Sequence, residues 1–226
     1  MRDKIIKAIS DEKIITIVRG VPKDKLSPLA EAMYEGGIRL MEITYDATGS
    51  IADETTADYI RMLAQHMEGR MYIGAGTVLK EAQVELTKNA GGGFIISPDT
   101  NPDIIKKTRD LEMISIPGAL TPSEVQQAHL CGADFVKLFP IDAMGTAYVK
   151  AITAPLSHIR LLAVGGVNTD NIGEYIKSGV CGIGIGSGII NKAMLSSGDY
   201  ASITQLAQKY VTAISVTGLE LSLPGN

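Results

Sequence analysis

The feature of this 226-residue chain that most restricts its fold is a repeat of form rather than of sequence. Short runs rich in apolar and β-branched residues recur at intervals of roughly 20 to 30 residues, with stretches of helical apolar spacing between them. The strand-like runs are Ile14–Val18, Leu40–Ile43, Met71–Gly74, Phe94–Ser97, Met113–Pro117, Phe135–Phe139, Arg160–Ala163 and Gly182–Ile185. The helical stretches are Leu26–Tyr34, Ala57–His66, Ala82–Asn89, Pro102–Leu111, Pro122–Leu130, Tyr148–Ala154, Thr169–Lys177 and Tyr200–Ser215. That interval is one βα unit of a parallel sheet, because parallel neighbours need a crossover of a dozen residues or more. Glycines stop the helical stretches in EGGIRLMEI, NAGGGFIIS, CGADFVKLF and SGVCGIGIG, while Asn101–Pro102, Thr121–Pro122 and Asn168–Thr169 open three of them. The series predicts an α/β fold, a (β/α)8 TIM barrel forming one domain over 1–226, with an extra N-terminal helix at Met1–Ser10. A doubly wound open sheet is the alternative, since periodicity does not show closure. The tail LELSLPGN reads as loosely held.

Composition narrows the partners. With 21 basic against 25 acidic residues and a net charge of −4, the chain offers no basic surface for nucleic acid or anionic lipid, so a small molecule is expected. No window approaches the ~18 consecutive apolar residues of a membrane span, and MRDKIIKAISDEKII holds no signal-peptide block, so a cytoplasmic setting is expected. Cys131 and Cys181 read as buried small hydrophobes. His66, His129 and His158 lack metal-ligand spacing and read as surface residues, so neither a metal nor a cofactor is expected.

Three strands carry charges inside apolar runs. Phe135, Lys137 and Phe139 share one side of the sixth strand, Leu40, Glu42 and Thr44 one side of the second, and Ile15, Ile17 and Arg19 line up at the end of the first. The common face is the barrel lumen, because the outer face must pack on aliphatic helices. A buried ion pair is the structural alternative. The functional reading is that these charges converge at the C-terminal ends of the strands, where barrels place their chemistry. Burial and a neighbouring cation lower a lysine's pKa, and the neutral amine attacks carbonyls. A buried Glu42 then shuttles the protons.

The last two strands end in glycine-rich turns, AVGGVNTDN and GIGIGSGII. Backbone N–H groups at Gly165, Gly166, Gly186 and Gly188, with the Ser187 hydroxyl, are expected to form a phosphate cradle at the place where barrels bind that group. Softer candidates are Thr77 after the third strand and Pro98 after the fourth, as pocket wall or as ordinary loop residues.

The set MEIT, IGAGTVL, FIISPDTNPDII, IPGALTPSE, FVKLFP and GGVNTDNIGEYI, ending in GIGSGII, resembles the class I aldolases of the 2-keto-3-deoxy-6-phosphogluconate (KDPG) and 4-hydroxy-2-oxoglutarate (KHG) type, over about Lys13 to Ser215. The resemblance implies a trimeric, metal-independent barrel that reversibly cleaves a 2-keto-4-hydroxy acid into pyruvate and an aldehyde. By likeness, Lys137 matches the Schiff-base lysine, Glu42 the acid/base glutamate and Thr77 the threonine near the pyruvate carboxylate. Pro98 and Phe139 match pocket residues, and Gly165, Gly166 and Ser187 match the phosphate site. Where many members carry a carboxylate-binding arginine this chain has Asp46, which leaves Arg19 in IVRG as the cation for that task. AVGG and IVRG together resemble the branch acting on 2-keto-3-deoxy-6-phosphogalactonate. A sugar-phosphate isomerase or epimerase on the same barrel, and a non-catalytic barrel binding a phosphorylated metabolite, are the other readings.

Overall fold

A computed structural model describes residues 1–222. Along the chain run α1 Arg2–Glu12, β1 Ile14–Val18, α2 Lys23–Glu35, β2 Leu40–Thr44, α3 Asp53–His66, β3 Tyr72–Gly76, α4 Glu81–Asn89 and β4 Phe94–Ile96. Next come α5 Pro102–Asp110, β5 Ile114–Ile116, β6 Gly118–Ala119, α6 Pro122–Leu130, β7 Val136–Leu138 and α7 Gly145–Thr153. The series ends with β8 Leu161–Val164, α8 Ile172–Lys177, β9 Gly182–Ile185, α9 Lys192–Ser197 and α10 Tyr200–Ser222.

All strand pairings are parallel, in the order β5-β4-β3-β2-β1-β9-β8-β7-β6. The two ends of that order are halves of one barrel strand, broken at Pro117, which has no N–H to give the ladder. Its first half pairs with β4 and its second with β7, while Asp134 and Phe135 N donate to Ser115 O and Lys137 N to Pro117 O. The ring therefore closes on eight barrel strands, and the open-sheet alternative falls.

Alternate residues face inward. Ile15, Leu40, Phe94, Ile96, Ile114, Ile116, Phe135 and Leu162 form one lumenal cluster, joined by Ile5 and Ile9 of α1. The extra helix thus plugs the N-terminal end of the barrel, and Gly93 admits it, since a Cβ there would stand 2.5 Å from Ile5 Cδ1. Arg2 pins the helix by donating to Met113 O and to the Asp134 carboxylate, which also accepts from Arg109 at 2.7 Å and Ser115 N at 2.9 Å. The outward faces pack with the helices in a second, larger cluster.

The expected helix stops are present: Gly37, Gly91, Gly132 and Gly179 take φ of +94°, +86°, +97° and +98°. Asn101 and Thr121 cap their helices through side-chain oxygens, Thr121 in a capping box with Glu124. The helix expected from Thr169 starts at Ile172 instead, because Asn168 Oδ1 accepts from Asp170 N and Asn171 N and holds the chain in a local turn. Helix α9, capped by Asn191 and ended by Gly198 at φ +74°, was not anticipated. Helix α10 continues to Ser222, so Leu219–Ser222 is helical where a loose tail was expected; the remainder of LELSLPGN lies outside the described residues.

Both cysteines are half-buried rather than buried. Cys181 Sγ donates to Leu161 O at 3.2 Å and its thiol is pushed up to about 11 by burial, while Cys131 Sγ accepts from Gln127 at 3.3 Å. His66 pairs with Glu31 at the surface, and half-buried His129 packs edge-on against exposed His158 at 5.1 Å. Among the described residues no cluster of three or more His, Cys, Asp or Glu is arranged to hold a metal ion.

Candidate active site

The C-terminal end of the barrel gathers the charges that interrupted the apolar runs. Glu42 stands third on β2, opposite Ile17 on one side and Gly74 on the other. It is 1% exposed, and its carboxylate leans over Gly76, where any Cβ would collide with Oε1. The absence of a side chain on β3 is what gives this carboxylate its space. Among the described residues Oε2 has no hydrogen-bond partner, an unusual condition for a buried acceptor. Burial raises the Glu42 carboxyl to about 7, against the opposing pull of the Lys137 and Arg19 cations.

Lys137 occupies the middle of β7, opposite Gly118 and Leu162, and is 8% exposed. Its Nζ lies 4.4 Å from the centroid of the half-buried Phe139 ring. Burial lowers its pKa and the Arg19 charge lowers it further, while Glu42 pulls the other way. The two groups feel each other electrostatically yet form no ion pair within 4.0 Å. That gap counts against the simple buried ion pair, whose stability depends on close, fully hydrogen-bonded contact. It leaves a proton-carrying carboxyl near an amine that burial drives toward neutrality.

Arg19 follows β1 at the mouth and donates Nη2 to Thr77 Oγ1 at 2.9 Å. Thr77 has φ +56°, a left-handed conformation that β-branched residues rarely adopt. The backbone there turns the hydroxyl to meet a guanidinium from 58 residues earlier in the chain, a pairing that no local pattern announces. Asp46 is occupied otherwise: it accepts from Thr48 N at 3.0 Å, Thr48 Oγ1 at 2.8 Å and Ile51 N at 2.9 Å, which hold its carboxyl below the usual range. It organises the loop after β2 and leaves Arg19 as the guanidinium that acts on both Glu42 and Lys137.

Pro98, half-buried after β4, sets its carbonyl against Gly118, where a Cβ would collide with it. The glycine turns lie after β8 and β9. Gly165 and Gly166 take φ of +109° and +68°, and among the described residues the N–H groups of Gly166, Ser187 and Gly188 have no acceptor. Gly186 is half-buried and Ser187 exposed. Asp142, which sequence reasoning passed over, packs against this turn: its Cβ fills the space beside Gly166, and Oδ1 stands 3.7 Å from where a Gly165 Cβ would be. The sequence signal was an acid three residues past Phe139, too common in loops to single out.

A family model for the KDPG and KHG aldolases matches residues 5–206. The 2-dehydro-3-deoxy-phosphogluconate aldolase of Haemophilus influenzae is 30% identical over 215 residues, covering 93% of this chain and 97% of that protein. A solved structure described as native KDPGal superposes with a TM-score of 0.82 at 30% identity, covering 91% of this chain and 96% of its own. The KDPG aldolase of Legionella pneumophila, with pyruvate captured as a covalent carbinolamine, gives 0.80 at 26% identity over 90% of this chain and 96% of its own.

Proposed function

The chain belongs to the KDPG and KHG aldolase family, and we propose that Lys137 is its Schiff-base residue and Glu42 its proton carrier. As a family member it is a class I, metal-independent lyase, reversibly cleaving a 2-keto-3-deoxy-6-phospho-sugar acid or 4-hydroxy-2-oxoglutarate into pyruvate and an aldehyde. The observation that carries the assignment of roles is the pair itself: two buried, mutually sensitive charges at the mouth with no ion pair between them and, among the described residues, no partner for Glu42 Oε2.

The neutral amine of Lys137 attacks the C2 ketone and forms a carbinolamine. Glu42 gives a proton to the departing hydroxyl, leaving water and a protonated imine. As a carboxylate, Glu42 then takes the proton of the C4 hydroxyl. The C3–C4 bonding electrons move into the imine, the aldehyde leaves and an enamine remains on Lys137. Protonation at C3 and hydrolysis release pyruvate and restore the amine. A carboxyl near pKa 7 can both give and take at neutral pH, which is the condition for one group serving both steps.

The remaining residues position the substrate. Arg19, its fork steadied by Thr77, holds the substrate carboxylate, and Phe139 and Pro98 form the wall around the pyruvyl carbons. Gly166 and Ser187 receive the distal phosphate on backbone N–H groups and a hydroxyl, while Gly165 and Gly186, bare of side chains, let it approach. We place the activity in one cytoplasmic domain over 1–226, as the sequence pattern suggests, and in a homotrimer, as the resemblance suggests. Among the described residues no helix is long and apolar enough to cross a membrane.

Borohydride reduction in the presence of pyruvate tests the central assignment. The expected result is an irreversible mass gain on the peptide containing Lys137. Labelling on another lysine, or none while cleavage persists, overturns it. Pyruvate release from the phosphogluconate, phosphogalactonate and hydroxyoxoglutarate substrates then ranks the three.

A further inference from the structure

A cavity of about 860 Å³ opens at the opposite end of the barrel, between α1, the C-terminal ends of α3 and α4, and the entries to β2 and β3. That volume is in the range of small-molecule sites. Its floor is apolar, made by Ile5 and Ala8 of α1, Ala64 of α3, Met71 and Ala90. Its walls carry five cationic side chains, three of which are already spent. Lys7 pairs with Asp11, Arg61 with Asp58, and Arg70 with Glu31 through both terminal nitrogens.

Arg39 differs from those three. It is half-buried, Nη1 donates to Tyr34 O and Ile38 O at 2.9 Å each, and its guanidinium stacks 4.3 Å from the centroid of the Tyr34 ring. The group is therefore fixed in place, while among the described residues its Nη2 and Nε have no partner and no carboxylate neutralises it. A guanidinium held in this way loses little freedom on taking a ligand carboxylate, which is where affinity is usually dissipated. Lys4, exposed and without an ion pair among the described residues, adds a second positive charge on the rim. Glu12 and Glu68 line the same cavity, and their carboxylates count against a ligand with two or more negative charges.

We propose that this basal cavity binds a small aromatic monocarboxylate, its carboxylate on Arg39 and its ring on the half-buried Ala8 and Ala64. The site is separate from the reaction. Arg39 enters β2 three residues before Glu42, roughly 10 Å along an extended strand, and on the far side of the lumenal core from the mouth. Such a ligand does not compete with pyruvate.

The test is calorimetric titration of 2-naphthoate into the intact protein, with 2-naphthamide and acetate as matched controls. Expected is saturable binding of one 2-naphthoate per chain, unaffected by excess pyruvate or by Arg19→Gln, and at least tenfold weaker binding of both controls. Arg39→Gln and Ala8→Trp, the second filling the floor, each weaken it at least tenfold; circular dichroism melting shows whether each is folded. If Arg39→Gln does not fold, Ala8→Trp decides. No saturable binding, equal binding of the amide, displacement by pyruvate, or undiminished binding to a folded variant overturns the proposal.

Discussion

At the residue scale, Glu42 links chemistry to stability. Glu42→Gln keeps the side chain's shape and removes its titration, so cleavage is expected to fall by about 10²–10⁴-fold and the pH–rate limb near 7 to disappear. Stability moves the other way. The folded carboxyl titrates near 7 against an ordinary 4.5, so between those values the folded chain binds more protons than the unfolded one and wild-type stability declines as pH rises. Above pH 7 the cost of burying the carboxylate is fully present. Glu42→Gln is therefore expected to be the more stable protein at pH 8, by up to about 3 kcal/mol at roughly 1.4 kcal/mol per tenfold in proton affinity, with the advantage gone by pH 4.5. Urea denaturation at pH 8 and pH 4.5 measures both ends, and equal stability at pH 8 refutes the reasoning. Glu42 and Lys137 were legible because one charge in a period-two apolar run stands out. Gly76 was not legible in the same way: nothing in IGAGTVL marks it, because what excludes a side chain there is a carboxylate from the neighbouring strand.

At the element scale, the eight barrel strands were readable from alternation and glycine punctuation. The exceptions have local causes. The fifth strand breaks at Pro117 and resumes at Gly118, a resumption with no local signal because the ladder that recruits Gly118 and Ala119 comes from β7. Helix α9 has six residues, fewer than two turns, too short for apolar spacing to register. The broken strand also carries a consequence for the site. Gly118 pairs with Lys137, and a Cβ on Gly118 would meet the Pro98 carbonyl, a backbone atom that yields only if the β4 loop moves. Gly118→Ala is expected to cost about 1–3 kcal/mol in stability by overpacking, and to reduce kcat/KM at least tenfold by shifting the strand that delivers the lysine. Thermal melting and steady-state kinetics on one preparation read both, and wild-type kcat/KM would show that Lys137 is positioned independently of this strand.

At the scale of the whole molecule, the barrel assigns stability and chemistry to opposite ends. The mouth tolerates an unpartnered carboxylate oxygen and a left-handed threonine, while the base is closed by Ile5 and Ile9, each 1% exposed, and locked by the Arg2–Asp134–Arg109 network. The lumenal cluster joins the two ends through buried apolar side chains, running from Ile9 to Phe135, two residues before Lys137, with Tyr72 and Cys181 packed against its edge. That continuity is packing, which tolerates a vacancy at one end better than a displaced strand in the middle. Ile9→Ala is expected to lower unfolding free energy by about 2–5 kcal/mol through lost burial and a residual cavity. Because Ile9 packs at the closed end, kcat and KM should stay within twofold of wild type at a temperature where the variant is folded, as barrels place activity at one face and conserve the other for stability. Denaturant titration with parallel kinetics makes the comparison. A drop in kcat with an unchanged midpoint would mean that the plug holds the catalytic strands in register, and the division between a stabilising base and a reactive mouth would not hold for this chain.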